Sequence, residues 1–254
     1  MKDFIEHFYL FLDKLKNNKN FAYGRFSDGE MYLLMNRSTT LGDGWYEIDG
    51  VRRKGSYHPI NYKELNAKNP DHKFFYDALK EAYQYHDENY FVGLSCRCCV
   101  GEDNFKWQVD FRGGDDDNLT WSNLLINGNF NRFLSEMLPL FNNKKVVFIC
   151  NENINLANLP FEVVKDFRVG NNCMINNFDI SEKIIAWIKE NDIKDYLFLF
   201  SASSLSEVLI HKLYMAEKEN TYIDVGTMLN KHLGVDTNRG YLQGGATLNK
   251  ICVW

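Results

Sequence analysis

The sequence predicts a single α/β domain built on a mostly parallel sheet with helices on its faces. Three observations carry that expectation. All-apolar runs such as Val146-Val147-Phe148-Ile149-Cys150 and Tyr196-Leu197-Phe198-Leu199-Phe200 lack the alternation of a half-exposed strand and suit strands buried on both faces. Segments with apolar residues at helical spacing lie between such runs, and strand–helix alternation at these intervals fits parallel crossovers. No linker, repeat or low-complexity stretch divides the 254 residues, so one domain spans 1–254 and is long enough to bury a core without staples. The architecture expected is Rossmann-like.

The elements follow in order. Phe4, Phe8, Phe11, Leu12 and Leu15 stripe a helix closed by Asn17-Asn18. Residues 21–26 form a short strand, and Ser27 or Asp28 caps a helix through Leu34. Residues 36–62 show glycines and Pro59 without periodicity and read as a long loop. A helix follows around Phe75 to Tyr83, then a strand from Tyr90 to Leu94; residues 96–118 are irregular. Phe130, Phe133, Leu134, Met137 and Leu138 predict a helix stopped by Pro139. Beyond it come the strand 145–150, a weaker strand over 163–169, a helix striped by Ile180, Ile184, Ile185 and Ile188, the strand 196–200, a helix from Ser203 to Ala216, and a last strand over 221–225.

Charge and patterning exclude several classes. A net charge of −5 argues against nucleic acid or an anionic membrane as the main partner. The opening residues place acids and His7 where a signal peptide would have its apolar core, and no run is long enough for a membrane span. Six cysteines do not make a disulfide scaffold, and the reading is cytoplasmic, which leaves the sequons at Asn36 and Asn118 without consequence. Walker A, Gly-x-Gly-x-x-Gly and Gly-x-Ser-x-Gly patterns are absent, so an ATPase, a nicotinamide enzyme and a serine hydrolase have no local support.

In open parallel sheets, ligands bind beyond the carboxyl ends of the strands. The residues to inspect are therefore Arg25 to Glu30, Ser95 to Cys99, Asn151-Glu152, Ser201 to Ser203 and Asp224 to Gly226. The sharpest signal is Arg25-Phe26-Ser27-Asp28-Gly29-Glu30 at a strand-to-helix turn. Two carboxylates separated by one glycine can approach a hard cation such as Mg²⁺ or Mn²⁺. The helix start offers N–H groups to a phosphate, and Arg25 can add a forked contact. The same pattern also serves as a plain N-cap with a nearby acid, so both readings stand on the residues alone.

The stretch from Arg25 to Glu30 resembles the Arg-x-Gly-Asp-Gly-Glu signature of the GT-D fold glycosyltransferases, a group first catalogued as a domain of unknown function. Phe198 to Ser204 with its following helix, then Tyr222-Ile223-Asp224-Val225-Gly226, resembles the closing strand–helix–strand of that family with its Ile-Asp-x-Gly. The resemblance implies a Rossmann-like fold, a nucleotide-sugar donor and a divalent metal, Mn²⁺ or Mg²⁺, at Asp28 and Glu30 with Arg25 beside them. Ser27 stands where the family has glycine, and Ser201-Ala202-Ser203-Ser204 where its best-known members read Gly-Pro-Thr-Ala.

Other constellations compete. Asp115-Asp116-Asp117 satisfies Asp-x-Asp but follows Gly113-Gly114 in a polar stretch and reads as a solvated turn. Cys96-Arg97-Cys98-Cys99 has no second pair at zinc spacing; a structural zinc would need distant Cys150 or a histidine, so a metal-free cluster is expected. His58 and His211 read as surface or core residues rather than bases.

The expectation is a metal-dependent glycosyltransferase using a nucleotide diphosphate sugar, UDP-sugar favoured, on a glycan or glycoprotein acceptor, with self-association as a homo-oligomer left open. Glu152 is the first candidate for the general base and Asp224 the second. Arg25, Asn151, Ser201, Ser203 and Gly226 are the candidate substrate contacts. The alternatives are a non-catalytic nucleotide-sugar-binding module and a metal-dependent phosphoesterase, although the latter usually needs two cations and more ligands.

Overall fold

The computed structural model describes residues 2–55, 62–235 and 239–254. Eleven strands and nine α-helices are formed among them: α1 (Phe4–Lys16), β1 (Ala22–Phe26), α2 (Asp28–Leu34), β2 (Thr39–Gly42), β3 (Trp45–Ile48), β4 (Val51–Lys54), β5 (Lys63–Leu65), α3 (Lys73–Gln84), β6 (Tyr90–Leu94), α4 (Arg97–Val100), α5 (Glu102–Arg112), β7 (Leu119–Trp121), α6 (Phe130–Arg132), β8 (Val146–Asn151), β9 (Val163–Val169), α7 (Cys173–Asn176), α8 (Ile180–Glu190), β10 (Leu197–Ser201), α9 (Leu205–Ala216) and β11 (Thr221–Asp224). Seven strands pair in the order β7-β6-β1-β11-β10-β8-β9, every ladder parallel. The predicted α/β fold with a parallel central sheet is the observed one.

The sheet divides two apolar layers because successive side chains of a strand point to opposite faces. Phe198, Phe200 and Tyr222 join α3, α8 and α9 on one face; Leu197, Leu199 and Ile223 join α1 and the segment from Leu124 to Phe141 on the other. α1 is anchored at its start, where the Asp3 carboxylate accepts the N–H groups of Ile5 (2.8 Å) and Glu6 (2.9 Å). Its buried face then sets Phe11 against Phe21, Tyr23 and Phe91 with ring centroids 4.9–5.1 Å apart. α9 is buried on nearly every side, as the helix that backs β1 and β11 should be.

Three expectations are corrected. The supposed loop over 36–62 contains three strands of a second, antiparallel sheet, ordered β4-β3-β2-β5, whose fourth strand, β5, follows it directly. Its strands are only three or four residues long, with β3 half-buried and β4 exposed throughout, so no apolar period could show. The glycines read as loop punctuation are hairpin turns: Asp49 and Gly50 both take positive φ (50° and 83°), as tight two-residue hairpins require. Residues 96–118 are not irregular but hold α4 and α5, with β7 immediately after. α5 buries Gln108 and Arg112 beside Phe105, which hides its amphipathic stripe. Finally, Pro139 does not end the helical run begun by α6; it sits in the first turn of a 3₁₀ segment, Leu138–Asn143, reached through a π turn over Phe133–Met137. No helix among the described residues is long and apolar enough to cross a membrane.

Candidate functional site

β1, β11 and β10 are consecutive in the sheet, so Arg25, Asp224 and Ser201 meet at one edge of it. The Arg25 side chain is mostly buried. Its Nε donates to the Ser122 carbonyl (2.6 Å), and its Nη1 lies 3.9 Å from Asp224 Oδ2. Asp224 Oδ1 accepts the Gly226 N–H (2.8 Å), and the Ser201 hydroxyl donates to the Gly226 carbonyl (2.8 Å). Gly226 is required here twice over: its φ is +45°, and a Cβ would stand 2.3 Å from Arg25 Nη1. Tyr241 closes the group from the chain's last segment, with its hydroxyl 2.6 Å from Thr227 Oγ1.

Burial opposes the charge on Arg25, but Asp224 leads the neighbours that raise its pKa. Burial pushes the Asp224 carboxyl up to about 6, against the pull of Arg25. Glu207, on α9 directly beneath, is raised well above the usual carboxylate range by burial and by the nearby Glu30 and Asp224. Burial and the neighbouring acids therefore favour the protonated form of Glu207 beside Asp224.

Ser27 and Glu30 form a reciprocal capping box at the start of α2. The Glu30 carboxylate is fully engaged: Oε2 accepts from the Ser27 N–H (3.1 Å) and hydroxyl, and Oε1 accepts from the Ser204 hydroxyl. Lys63, buried at the start of β5, donates to Ser204 Oγ (2.8 Å) and lies 3.7 Å from Glu30 Oε1. Burial alone would raise Glu30, but Lys63, Ser204 and Ser27 outweigh it and hold the group below its usual value. Asp28 is different. Its surface is exposed, yet surrounding protein and Glu30 raise its carboxyl, with Arg239 opposing them.

The remaining candidates lie apart. Asn151 and Glu152 end β8, separated from β1 by β11 and β10, a span of about 14 Å at ordinary strand spacing. Asn151 Oδ1 is taken by the Asn153 N–H (2.9 Å), while the Glu152 side chain is exposed beside Gly170. Ser203 is exposed with φ +53°, and it is Ser204, fully buried, that reaches Glu30. Asp115 pairs with Lys2 (2.8 Å) and accepts from Trp254 Nε1 (3.1 Å), and Asp116 pairs with His86 (3.0 Å), so this triplet ties chain segments together. His211 is a buried residue packed against Tyr85 and Tyr90. His58 lies outside the described residues.

A cavity of about 410 Å³ between α2 and α3, lined by Leu34, Lys68, Tyr76 and Lys80 among others, holds none of these residues. The convergence of charged side chains at the strand ends, not concavity, marks the candidate site. Lys63, Ser204, Glu207 and Ser122 were not anticipated. Lys63 lies just past the supposed loop, in a stretch to which no element was given. Glu207 carried a readable signal, an acid inside the run Leu205 to Leu213 on a helix apolar nearly all round.

No protein-family model and no curated protein matches the sequence. Solved structures do. A structure of domain of unknown function 1792, described as having a distinct glycosyltransferase fold, superposes with a TM-score of 0.53 at 15% identity, covering 95% of this chain and 82% of that one. The fold is a glycosyltransferase fold. A glycosyltransferase of the same domain type from Streptococcus sanguinis superposes over 91% of this chain and 89% of its own, with a TM-score of 0.53 at 14% identity. A selenomethionine-substituted structure of the domain gives a TM-score of 0.52 at 14% identity and 95% coverage of this chain, 82% of its own. The likeness thus extends over nearly the whole chain.

Proposed function

We propose that this chain is a metal-dependent glycosyltransferase that moves a sugar from a nucleotide diphosphate sugar, a uridine diphosphate sugar first, to a glycan or protein-linked acceptor. The observation that supports this reading is the fixed Arg25 guanidinium at the adjoining ends of β1, β11 and β10, three residues before the exposed Asp28, on a glycosyltransferase fold.

A buried guanidinium held by Ser122 and Asp224 is preorganised for charge-assisted contacts to a diphosphate. The residues fit a hard divalent cation, Mn²⁺ or Mg²⁺, through Asp28: such ions commonly take one or two carboxylates and complete their shell with phosphate oxygens and water. Glu30, with both oxygens engaged by Ser27, Ser204 and Lys63, instead positions the turn that carries Asp28. A bound cation would neutralise the diphosphate leaving group as the sugar–phosphate bond breaks. Asp224 is 5% exposed and occupied with Gly226 and Arg25, which suits an anchor of the guanidinium. Glu152 is the proposed base, reached only by the sugar end of a donor laid from β1 toward β8.

The test is turnover. The protein is incubated with a panel of nucleotide sugars and Mn²⁺, with and without acceptors, and released nucleotide is measured. Transfer is expected from one donor class, with Arg25→Ala and Asp28→Ala each losing about 10²–10³ in rate. Asp115→Ala with Asp117→Ala should stay near wild type. Binding without release would favour a non-catalytic module, and hydrolysis of simple phosphoesters a phosphoesterase.

A further inference from the structure

The cysteine cluster lies outside the site just described. Cys96 follows β6, and Cys98 and Cys99 belong to α4. The three sulfurs lie within 4.8 Å of one another, Cys96 Sγ standing 3.2 Å from Cys98 Sγ and 3.1 Å from Cys99 Sγ. These separations are far beyond the roughly 2.05 Å of a disulfide. They are about 0.6–0.7 Å shorter than the edge, about 3.8 Å, of a tetrahedron with zinc–sulfur bonds of about 2.3 Å, so the thiols would spread by that much around an ion.

The sequence alone offered no fourth ligand except distant Cys150 or a histidine. The fold brings Cys252 beside them instead: its thiol, buried like that of Cys96, shares the Asn123 amide donor with Cys99 and interacts electrostatically with Cys96 and Cys99, although it stands outside the 4.8 Å group of the other three sulfurs. Cys150 is buried within β8 and takes no part. Around the sulfurs stand N–H donors of the kind that surround thiolate ligands. Asn123 Nδ2 is 3.5 Å from Cys99 Sγ and 4.0 Å from Cys252 Sγ, Asn127 Nδ2 is 3.7 Å from Cys252 Sγ, and Lys250 Nζ is 3.1 Å from Cys99 Sγ. The tail over 250–254 has no helix or strand, yet it is held in place, with the Lys250 carbonyl accepting from Gly128 (2.9 Å) and Trp254 packed on Trp121 and Phe105.

We propose that Cys96, Cys98, Cys99 and Cys252 bind one zinc ion that fastens the C-terminal tail to the end of β6. Thiolate ligands select zinc over the hard cations suited to Asp28. Binding releases the thiol protons to solvent, and the Lys250 ammonium offsets part of the charge of the four thiolates. The cross-link also lies next to the candidate site, because Asn123 adjoins Ser122, whose carbonyl holds Arg25. The inference is independent of the proposed activity.

Elemental analysis of the protein purified under reducing conditions with zinc, then dialysed, tests it. One zinc per chain is expected in the wild type and in Asp28→Ala. Cys99→Ser and Cys252→Ser should bind it more weakly by at least about 10–100-fold, the loss that removing a mere outer partner causes. Cobalt replacement in the unmodified protein gives a readout that no variant can confound by misfolding: thiolate-to-cobalt charge-transfer bands with the intense visible absorption of a tetrahedral ion. Absence of both stoichiometric zinc and those bands overturns the proposal. So does zinc that survives the cysteine substitutions but is lost in Asp28→Ala, or a Cys99–Cys252 disulfide found under the same conditions.

Discussion

Arg25 is fixed before any ligand arrives, by a carbonyl on one side and a carboxylate on the other. The glycine opposite it is part of the same device. Gly226→Ala would place a methyl in the space of Arg25 Nη1 and demand a left-handed backbone of alanine. It should therefore weaken binding of a diphosphate ligand roughly as much as Arg25→Ala does, and calorimetric titration of both variants checks this. Asp224 gives a pH signature. Its folded pKa of about 6 lies above the ordinary aspartate value of about 3.9, so the folded state holds the proton more tightly. The stability this group contributes is complete below about pH 4 and is lost as the pH rises through about 6. Asp224→Asn should flatten that decline in denaturation midpoints; an unchanged slope would mean that Asp224 titrates normally. At this scale the sequence was legible where candidate groups sit on one turn, as from Arg25 to Glu30. It was silent where distant segments meet, because nothing local marks Ser122 or Lys63 as a partner.

At the scale of elements, the small antiparallel sheet is tied to the domain by one buried charge. Lys63 at the start of β5 reaches Ser204 at the start of α9 and, with it, Glu30 on α2. Removing one member of such a pair strands the other without compensation, at a typical cost of about 3–5 kcal/mol. Lys63→Met should lower stability by that order, and Lys63→Met with Glu30→Gln should recover much of it, as chemical denaturation would show. Apolar runs made six of the seven strands of the central sheet readable, β9 only weakly and β7 not at all: β6 and β9 lie where the pattern puts them, and β8, β10 and β11 end within a residue of it. The four short strands of the second sheet have little apolar face to repeat. Their one readable trace was the pair of Asp-Gly steps at 43–44 and 49–50, which mark two tight hairpins. α5 escaped for the opposite reason: it buries Gln108 to hydrogen-bond both backbone groups of Ser95.

At the scale of the whole molecule, a parallel sheet with a helical layer on each face brings three adjacent strand ends together. The fold could be read from alternation alone, while which strand ends adjoin depended on strand order, which no local pattern encodes. That order is why Arg25, Asp224 and Ser201 cluster and why Glu152 stands about three strand spacings away. The most direct measurement on this arrangement is the thermal midpoint of the protein with uridine diphosphate and Mn²⁺. A ligand at 100 times its dissociation constant adds ~2.7 kcal/mol of apparent stability. For a domain near this size that corresponds to a rise of roughly 5–10 °C. The account predicts such a rise, erased by chelator because Asp28 would otherwise face the diphosphate as a like charge, and reduced in Arg25→Ala. A rise that is independent of metal, or equal for every nucleotide tried, would contradict it and leave a generic anion site at the strand ends.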